Sequence, residues 1–115
     1  MKLPRPKEKE VQAAILDYLA LRRAEAIRTN SGAVKVGQRF IRFNSRLGCS
    51  DILACYQGRF LALEVKRDSK AKASDHQGEF LESVRAAGGI GAVVSSVEDV
   101  MRILDQIDTR LEKCE

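Results

Sequence analysis

The stretch SDILACYQGRFLALEVK, residues 50–66, holds two apolar runs separated by a turn signal. Residues 52–56 and 59–66 are rich in branched aliphatic and aromatic side chains, which favour β-strands. The dipeptide Gln57-Gly58 between them predicts a two-residue hairpin turn, although glutamine is a weaker turn residue than asparagine or aspartate. This segment therefore predicts an antiparallel hairpin at the centre of the fold.

The predicted hairpin brings two acids together. With a two-residue turn, paired residue numbers sum to 115, so Asp51 lies opposite Glu64. Directly opposed side chains are about 4.5–5.5 Å apart, and two like charges at that distance destabilise the pair unless a positive group lies between them. Both faces of the hairpin are otherwise mainly apolar, which is typical of a sheet covered by helices on both sides.

The chemistry of this pair admits two interpretations. Two carboxylates and the backbone carbonyl of Val65 are the hard oxygen ligands that Mg²⁺ or Mn²⁺ prefers, and Lys66 is then placed to orient an attacking water. In the other interpretation, Asp51, Glu64 and Lys66 are ordinary charges at strand ends, with the lysine paired to a neighbouring acid.

The remaining segments predict a single α/β domain spanning residues 1–115. We expect a mixed central sheet flanked by helices, because helical and strand-like segments alternate along the chain. Residues 31–47 contain glycine, arginine and asparagine and predict a loop or irregular strands. The other expected elements are a helix after Pro6 to about Arg23, a possible strand at 26–30, a helix beginning after Ser74, a strand at 90–95 and a last helix capped by Ser95 or Ser96.

Composition limits the kinds of partner. The chain has 20 Lys and Arg against 16 Asp and Glu, a net charge of +4, which favours polyanions. Its three cysteines form no CxxC pair, so we expect neither a disulfide framework nor a zinc knuckle. No stretch is apolar enough for a signal peptide or a membrane span, and we expect an intracellular, cytoplasmic protein.

Glu8 is a third candidate acid. At 100° per residue it falls near the centre of the apolar stripe of the first helix, whereas Glu10 points away, and the stripe consists of Val11, Ile15 and Leu19. The alternative is a solvated acid that the helix macrodipole stabilises at the N-terminus. Which of the two glutamates is the relevant one stays open.

Gln77 shows the same ambiguity in the later helix. It is centred on the face formed by Phe80, Leu81 and Val84, and it is also the third residue after Ser74. The pattern S-x-x-Q predicts a capping box, so Gln77 either reaches the acids or simply caps its helix.

Basic residues flank the acidic segment on both sides. Lysine and arginine that neutralise phosphates give affinity for DNA without reading its sequence. The alternative for each is an ordinary solvated surface charge. The candidates are Arg28, Lys35, Arg39, Arg42 and Arg46 before Asp51, and Arg67, Lys70 and Lys72 after Lys66.

The order of these motifs resembles the virus-type replication-repair nuclease domain, VRR-NUC, of the PD-(D/E)XK superfamily. The resemblance covers Glu8 to Met101 and is carried by the helix glutamate, G-x-S-D-I, E-V-K and HQGEFLESVRAAGGIGAVVSSVEDV. It implies a restriction-endonuclease-like core, with Asp51 and Glu64 as metal-binding acids. It further implies that Lys66 is the catalytic lysine, Glu8 the helix acid and Gln77 an active-site glutamine. Ser50 stands where the superfamily usually has proline.

The resemblance also implies a function. We expect an endonuclease dependent on Mg²⁺ or Mn²⁺ that cuts branched DNA, four-way (Holliday) junctions first, as a homodimer in a phage or a prokaryotic host. One alternative is a catalytically silent DNA-binding module, against which the intact Glu-Val-Lys argues. Another is a restriction-type nuclease that reads sequence, although so short a chain shows no added recognition domain.

Overall fold

The computed structural model describes residues 6–29, 33–42 and 46–113. Its elements are α1 (Glu8–Leu21), β1 (Glu25–Arg28), β2 (Ala33–Val36), β3 (Arg39–Arg42), β4 (Ile52–Tyr56), β5 (Arg59–Val65), α2 (Asp75–Ala86), β6 (Ile90–Val94) and α3 (Val97–Lys113). Four strands form one sheet in the order β1-β4-β5-β6, and β2 and β3 form a separate two-stranded sheet.

The β4–β5 hairpin has the predicted register. Ile52 lies opposite Leu63, and the antiparallel pairing continues to the turn. Gln57 and Gly58 both adopt left-handed backbone angles, with φ of 50° and 78°, as a tight turn of two residues requires. Because the register places residue 52 opposite 63, Asp51 and Glu64 come next to each other just beyond the last paired position.

The central sheet is mixed, as expected. β1, β4 and β5 are antiparallel, whereas β6 runs parallel to β5 after the crossover through α2. The fold class predicted from the sequence is therefore confirmed. Residues 33–42 pair more regularly than predicted, because β2 and β3 form a hairpin with an unbroken antiparallel register.

Helices cover both faces of this sheet. α1 and α3 lie on one face, where the largest core cluster includes Ile15, Leu19, Leu63 and Leu104. α2 covers the other face, and Leu81 and Val84 pack there around Ala62. Since side chains alternate along β5, its odd residues point to the first face and Ala62 and Glu64 to the second.

The apolar stripe of α3 is mostly used within the chain. Val100, Leu104 and Ile107 are buried, as their helical spacing predicts. Leu111, predicted on the same face, is 42% exposed. The helical period gives its direction, but the residue lies one turn beyond the last buried position. No helix in the described ranges is long and apolar enough to cross a membrane.

Two local features fix the start of α2 close to the segment that precedes the β4–β5 hairpin. Ser74 caps the helix with its side chain, and Gln77 returns the bond in a complete capping box. Gly48 has a left-handed φ of 76°, and a side chain at this position would overlap the backbone carbonyl of His76. A glycine at 48 therefore lets the segment before Asp51 approach the first turn of α2.

Candidate active site

Asp51 and Glu64, which we call the acid pair, lie at the end of the central hairpin. Asp51 comes directly before β4, and its Oδ2 accepts a hydrogen bond of 2.8 Å from the backbone nitrogen of Val65. Glu64 is the second-last residue of β5 and is only 1% exposed. The predicted juxtaposition of two carboxylates is thus present in the structure.

The Glu64 carboxylate is buried without full compensation. Its Oε1 lies 3.5 Å from Nζ of Lys66, but its Oε2 has no hydrogen-bond partner in the part of the chain that the structure describes. Burial, followed by the charge of Asp51, raises the pKa of Glu64 to about 8, and Lys66 opposes this only in part. A buried polar atom without a partner is costly, so this oxygen is a place where a cation would be stabilised.

Lys66 is held by both its backbone and its side chain. Its backbone nitrogen donates to the carbonyl of Val94 in β6, at 2.8 Å. Its Nζ donates to Oε1 of Gln77, at 3.2 Å. The same amide oxygen accepts from the backbone nitrogen of Ser74 at 2.9 Å. Gln77 therefore caps α2, and its contact at the site is with the lysine.

Glu8 does not lie inside the core, contrary to the predicted inward orientation. It is exposed, as is Glu10, whereas Gln12 one turn later is buried. Glu8 is the first residue of α1 and precedes the first buried position of the helix, which is Val11. The described residues give the Glu8 carboxylate no hydrogen bond or ion pair, and its role as the helix acid stays a prediction.

Gln12 is a polar residue to which the sequence alone assigned no role. Its Oε1 accepts a hydrogen bond of 3.1 Å from Nε of Arg28, the last residue of β1. Arg28 pairs with Ile52, and the backbone nitrogen of Thr29 donates to the carbonyl of Asp51 at 2.8 Å. The start of α1 and the end of β1 therefore lie at the same end of the sheet as the acid pair.

The donor set fits a hard divalent cation. Within residues 6–29, 33–42 and 46–113, no three His, Cys, Asp or Glu side chains gather closely enough to hold a metal together. The two carboxylates of the acid pair and the carbonyl of Val65 are oxygen ligands, and Mg²⁺ ordinarily keeps several waters beside one or two carboxylates. The partnerless Oε2 of Glu64 is the observation that favours this fit.

Two residues beside Asp51 are buried. The hydroxyl of Ser50 lacks a partner among the described residues, and its carbonyl accepts from the side chain of Thr29. Burial raises the pKa of the Cys49 thiol, which favours its protonated form. The motif that led to Asp51 gave no sign that Ser50 would be fully buried.

The predicted basic residues lie in three places. Arg28 is exposed at the end of β1 and pairs with Ile52, the residue after Asp51. Lys35, Arg39 and Arg42 belong to the β2–β3 hairpin, although the side chain of Arg42 lies outside the described set. The rest are side chains near α2: Arg46, whose guanidinium lies 5.4 Å from the ring centroid of Phe80, and Arg67, Lys70 and Lys72, which precede the helix and are exposed.

Comparison with known proteins supports the fold. No family model and no curated protein sequence matches the chain. One solved structure, described as a VRR_NUC domain, is 22% identical with a TM-score of 0.62, and the match covers 85% of this chain and 94% of the other. A second, described as a VRR_NUC domain protein, is 19% identical with a TM-score of 0.58 and covers 90% and 88%. The resemblance predicted from the motifs is confirmed at the level of structure: this chain has the fold of a VRR-NUC domain.

Proposed function

We propose that the protein is a metal-dependent endonuclease that hydrolyses phosphodiester bonds in branched DNA. The observation that carries the proposal is the partnerless Oε2 of Glu64, buried beside Asp51 and Lys66. Functional sites are enriched in buried titratable groups whose pKa is shifted by desolvation and by a specific charge partner. The fold shared with VRR_NUC structures supports the same conclusion.

Asp51, Glu64 and the Val65 carbonyl would hold Mg²⁺ or Mn²⁺. Such an ion lowers the pKa of bound water and stabilises negative charge on a phosphoryl oxygen. The raised pKa of Glu64 favours the protonated carboxyl in the free protein near neutral pH, and binding of a cation there would require release of this proton. Metal affinity should therefore increase as the pH rises toward 8.

Lys66 orients the attacking water and offsets the charge that develops on the phosphate. Its side chain is 16% exposed, and its ammonium lies between Glu64 and Gln77, so its position is largely set before substrate arrives. Preorganised charge of this kind stabilises a transition state without reorganisation during the reaction. Asp51 is held in turn by the backbone nitrogen of Val65.

The alternatives differ in what they leave unexplained. A silent DNA-binding module has no use for a buried, incompletely hydrogen-bonded carboxyl group beside a lysine, and such a site would be costly to keep. A sequence-reading restriction-type nuclease would need side chains that reach base edges in a groove. We favour an enzyme that recognises DNA shape and phosphates.

Four-way junctions are the substrate we propose first, with a homodimer as the working unit. Cutting a junction symmetrically requires two sites, which a two-fold axis supplies. Val100, Leu104 and Ile107 of α3 are packed in the core of their own chain, so these three side chains are not offered as a dimer contact. Sedimentation at micromolar concentration tests the dimer against a 12.8 kDa monomer, with and without a synthetic junction.

The decisive experiment combines cleavage with thermal melting. Labelled four-way junction, flap and linear duplex are incubated with the protein in Mg²⁺, in Mn²⁺ and in EDTA. We expect cleavage only with metal and fastest on the junction. We also expect millimolar metal to raise the melting temperature of the wild type but not that of Asp51→Asn, because the ion binds the folded state.

Two outcomes would contradict this proposal. Absence of cleavage of every substrate in both metals would favour the silent DNA-binding module. Equal cutting of junction and duplex by a monomer would remove the junction preference and the dimer together, while leaving the nuclease itself in place.

A further inference from the structure

The β2–β3 hairpin presents apolar side chains to solvent. Phe40 is 74% exposed, Val36 55% and Ile41 51%. An isolated two-stranded hairpin is only marginally stable in water, and a cluster of exposed apolar groups commonly marks an interaction site. The hairpin has the exposed surface expected of a segment that contacts another molecule.

Positive charge is interleaved with these apolar groups on both faces. Lys35 lies directly opposite Phe40, and Val36 directly opposite Arg39. Because side chains alternate, Ile41 shares the face of Val36 and Arg39. Each face therefore carries at least one cation next to at least one apolar side chain, and all five of these side chains are exposed.

The charge of the surrounding segment indicates the chemical class of the partner. Residues 26–50 contain no Asp or Glu and five cations. A second copy packed symmetrically on this hairpin would place like charges against each other, which is unfavourable. A polyanion with apolar surfaces is the complementary partner, and nucleic acid combines phosphates with the faces of its bases.

Chain connectivity places the hairpin near the acid pair. The chain leaves the sheet after Arg28 and re-enters it at Ile52, directly after Asp51. At the point of exit, the backbone nitrogen of Thr29 donates to the Asp51 carbonyl at 2.8 Å. DNA bound at the acid pair therefore lies within reach of a segment that begins and ends there.

We propose that the β2–β3 hairpin is a DNA-contacting arm in which Phe40 stacks on bases exposed at a branch point while Lys35 and Arg39 contact the flanking phosphates. This inference rests on the proposed function, because it assumes that DNA is the substrate of the acid pair. Stacking on an aromatic ring needs an exposed base face, which a junction or flap supplies, whereas a linear duplex must first be unstacked at a cost of about a few kcal/mol per step. The arm thereby gives the enzyme its preference for branched DNA.

The test compares Phe40→Ala with Leu21→Ala, a control of similar exposure at the C-terminal end of α1, where Leu21 is 78% exposed. Affinity for a synthetic four-way junction and for a linear duplex is measured in EDTA, so that no DNA is cut. We expect Phe40→Ala to weaken junction binding about tenfold and duplex binding less than twofold. Phe40→Trp should bind the junction as tightly as the wild type. That result would show that Phe40→Ala weakens binding through loss of the aromatic ring and not through loss of the hairpin structure.

A second variant separates charge from stacking. Replacing Lys35 and Arg39 together by Gln should weaken binding to junction and duplex alike, because phosphates are common to both. The slope of log affinity against log salt should become shallower by about 2. Phe40→Ala should leave that slope unchanged.

The outcomes distinguish the arm from the nuclease. Equal effects of Phe40→Ala and Leu21→Ala on junction binding would overturn the arm, and so would failure of the wild type to bind DNA. Conversion of a dimer into a monomer by Phe40→Ala, at unchanged affinity for the junction, would show that a second copy occupies the hairpin instead. Junction binding that depends on Phe40, in a protein that cuts nothing, would support the arm and refute the nuclease.

Discussion

The two ends of β4 carry polar clusters of opposite character. At the Tyr56 end, the guanidinium of Arg22 lies 5.6 Å from the ring centroids of both Tyr18 and Tyr56. It donates to Asp105 at 3.1 Å and to Asp108 at 3.0 Å, and the hydroxyl of Tyr56 also donates to Asp108. Every charged group in this Arg22 cluster has an opposite charge or a hydrogen-bond partner.

At the Asp51 end, the balance is incomplete. Two acids meet one lysine, one buried carboxylate oxygen has no partner in the described residues, and the pKa of Glu64 is raised to about 8. Hydrogen bonding in the Arg22 cluster, first with Tyr56, instead raises the pKa of Arg22 and keeps it charged. Satisfied polar groups hold α1, β4 and α3 together, whereas unsatisfied groups are available to bind and react.

The largest effects should come from removing a group at the Asp51 end. Lys66→Ala and Asp51→Asn should each lower the rate of junction cleavage by at least about a hundredfold, because charge aimed at the reacting phosphate is lost. Most of the DNA affinity should remain, since phosphate contacts are spread over many basic residues. Single-turnover cleavage and anisotropy measure the two quantities separately.

Lys113→Ala is the matched control for the lysine, since Lys113 is exposed at the C-terminal end of α3 and is not a candidate DNA-binding residue. It should change the cleavage rate less than threefold. A Lys66→Ala protein that still cuts in Mn²⁺ at nearly the wild-type rate would contradict the assignment of Lys66 as the catalytic lysine.

Glu64→Gln should next reveal the energetic cost of the unsatisfied site. Below about pH 4.5 the carboxyl is protonated in both states; as the pH rises toward 8, the unfolded chain releases the proton while the folded protein keeps it. The wild type should therefore lose stability over this range, by at most about 1.4 kcal/mol per pH unit. Chemical denaturation in EDTA should show a flatter pH dependence for Glu64→Gln, and parallel curves for the two proteins would contradict the raised pKa.

The Arg22 cluster should respond in the opposite way. Arg22→Met removes a partly buried charge that joins two aspartates and two tyrosines, and should cost about 2 kcal/mol of unfolding free energy. The cleavage rate of the folded protein should not change. Arg23→Met, at the exposed neighbouring position, should stay within about 0.5 kcal/mol of the wild type. Loss of cleavage in folded Arg22→Met protein would show that the two ends are coupled.

The sequence predicted the Asp51 end because local chemistry determines it. The turn at Gln57-Gly58 sets the register, and the register alone brings Asp51 to Glu64. Gln77 follows from a capping pattern within four residues. These relations do not depend on how distant segments pack.

The Arg22 cluster could not be predicted, because its contacts join residues as far apart as Arg22 and Asp108. The sequence shows which side chains are polar, but its periodicity does not show which of them contact each other. The same limit explains Glu8: the helical period gives the direction of its side chain but not where, along the helix axis, burial begins. In the β2–β3 hairpin, polar and apolar residues do not alternate clearly, so the sequence did not predict regular strands there.

Gln77 both caps α2 and contacts Lys66 at the candidate site, and a pair of variants should separate these two roles. Ser74→Ala removes the side-chain acceptor for the Gln77 backbone nitrogen, at 3.3 Å, and should cost about 1 kcal/mol of stability with cleavage unchanged. Gln77→Met removes the other half of the capping box and also the contact with Lys66, so it should cost a similar amount of stability and slow cleavage several-fold. Melting temperature and single-turnover rate give the two effects independently. If Gln77→Met slows cleavage no more than Ser74→Ala does, then Lys66 is positioned by Glu64 and its own backbone, and Gln77 is a cap that merely lies beside the site.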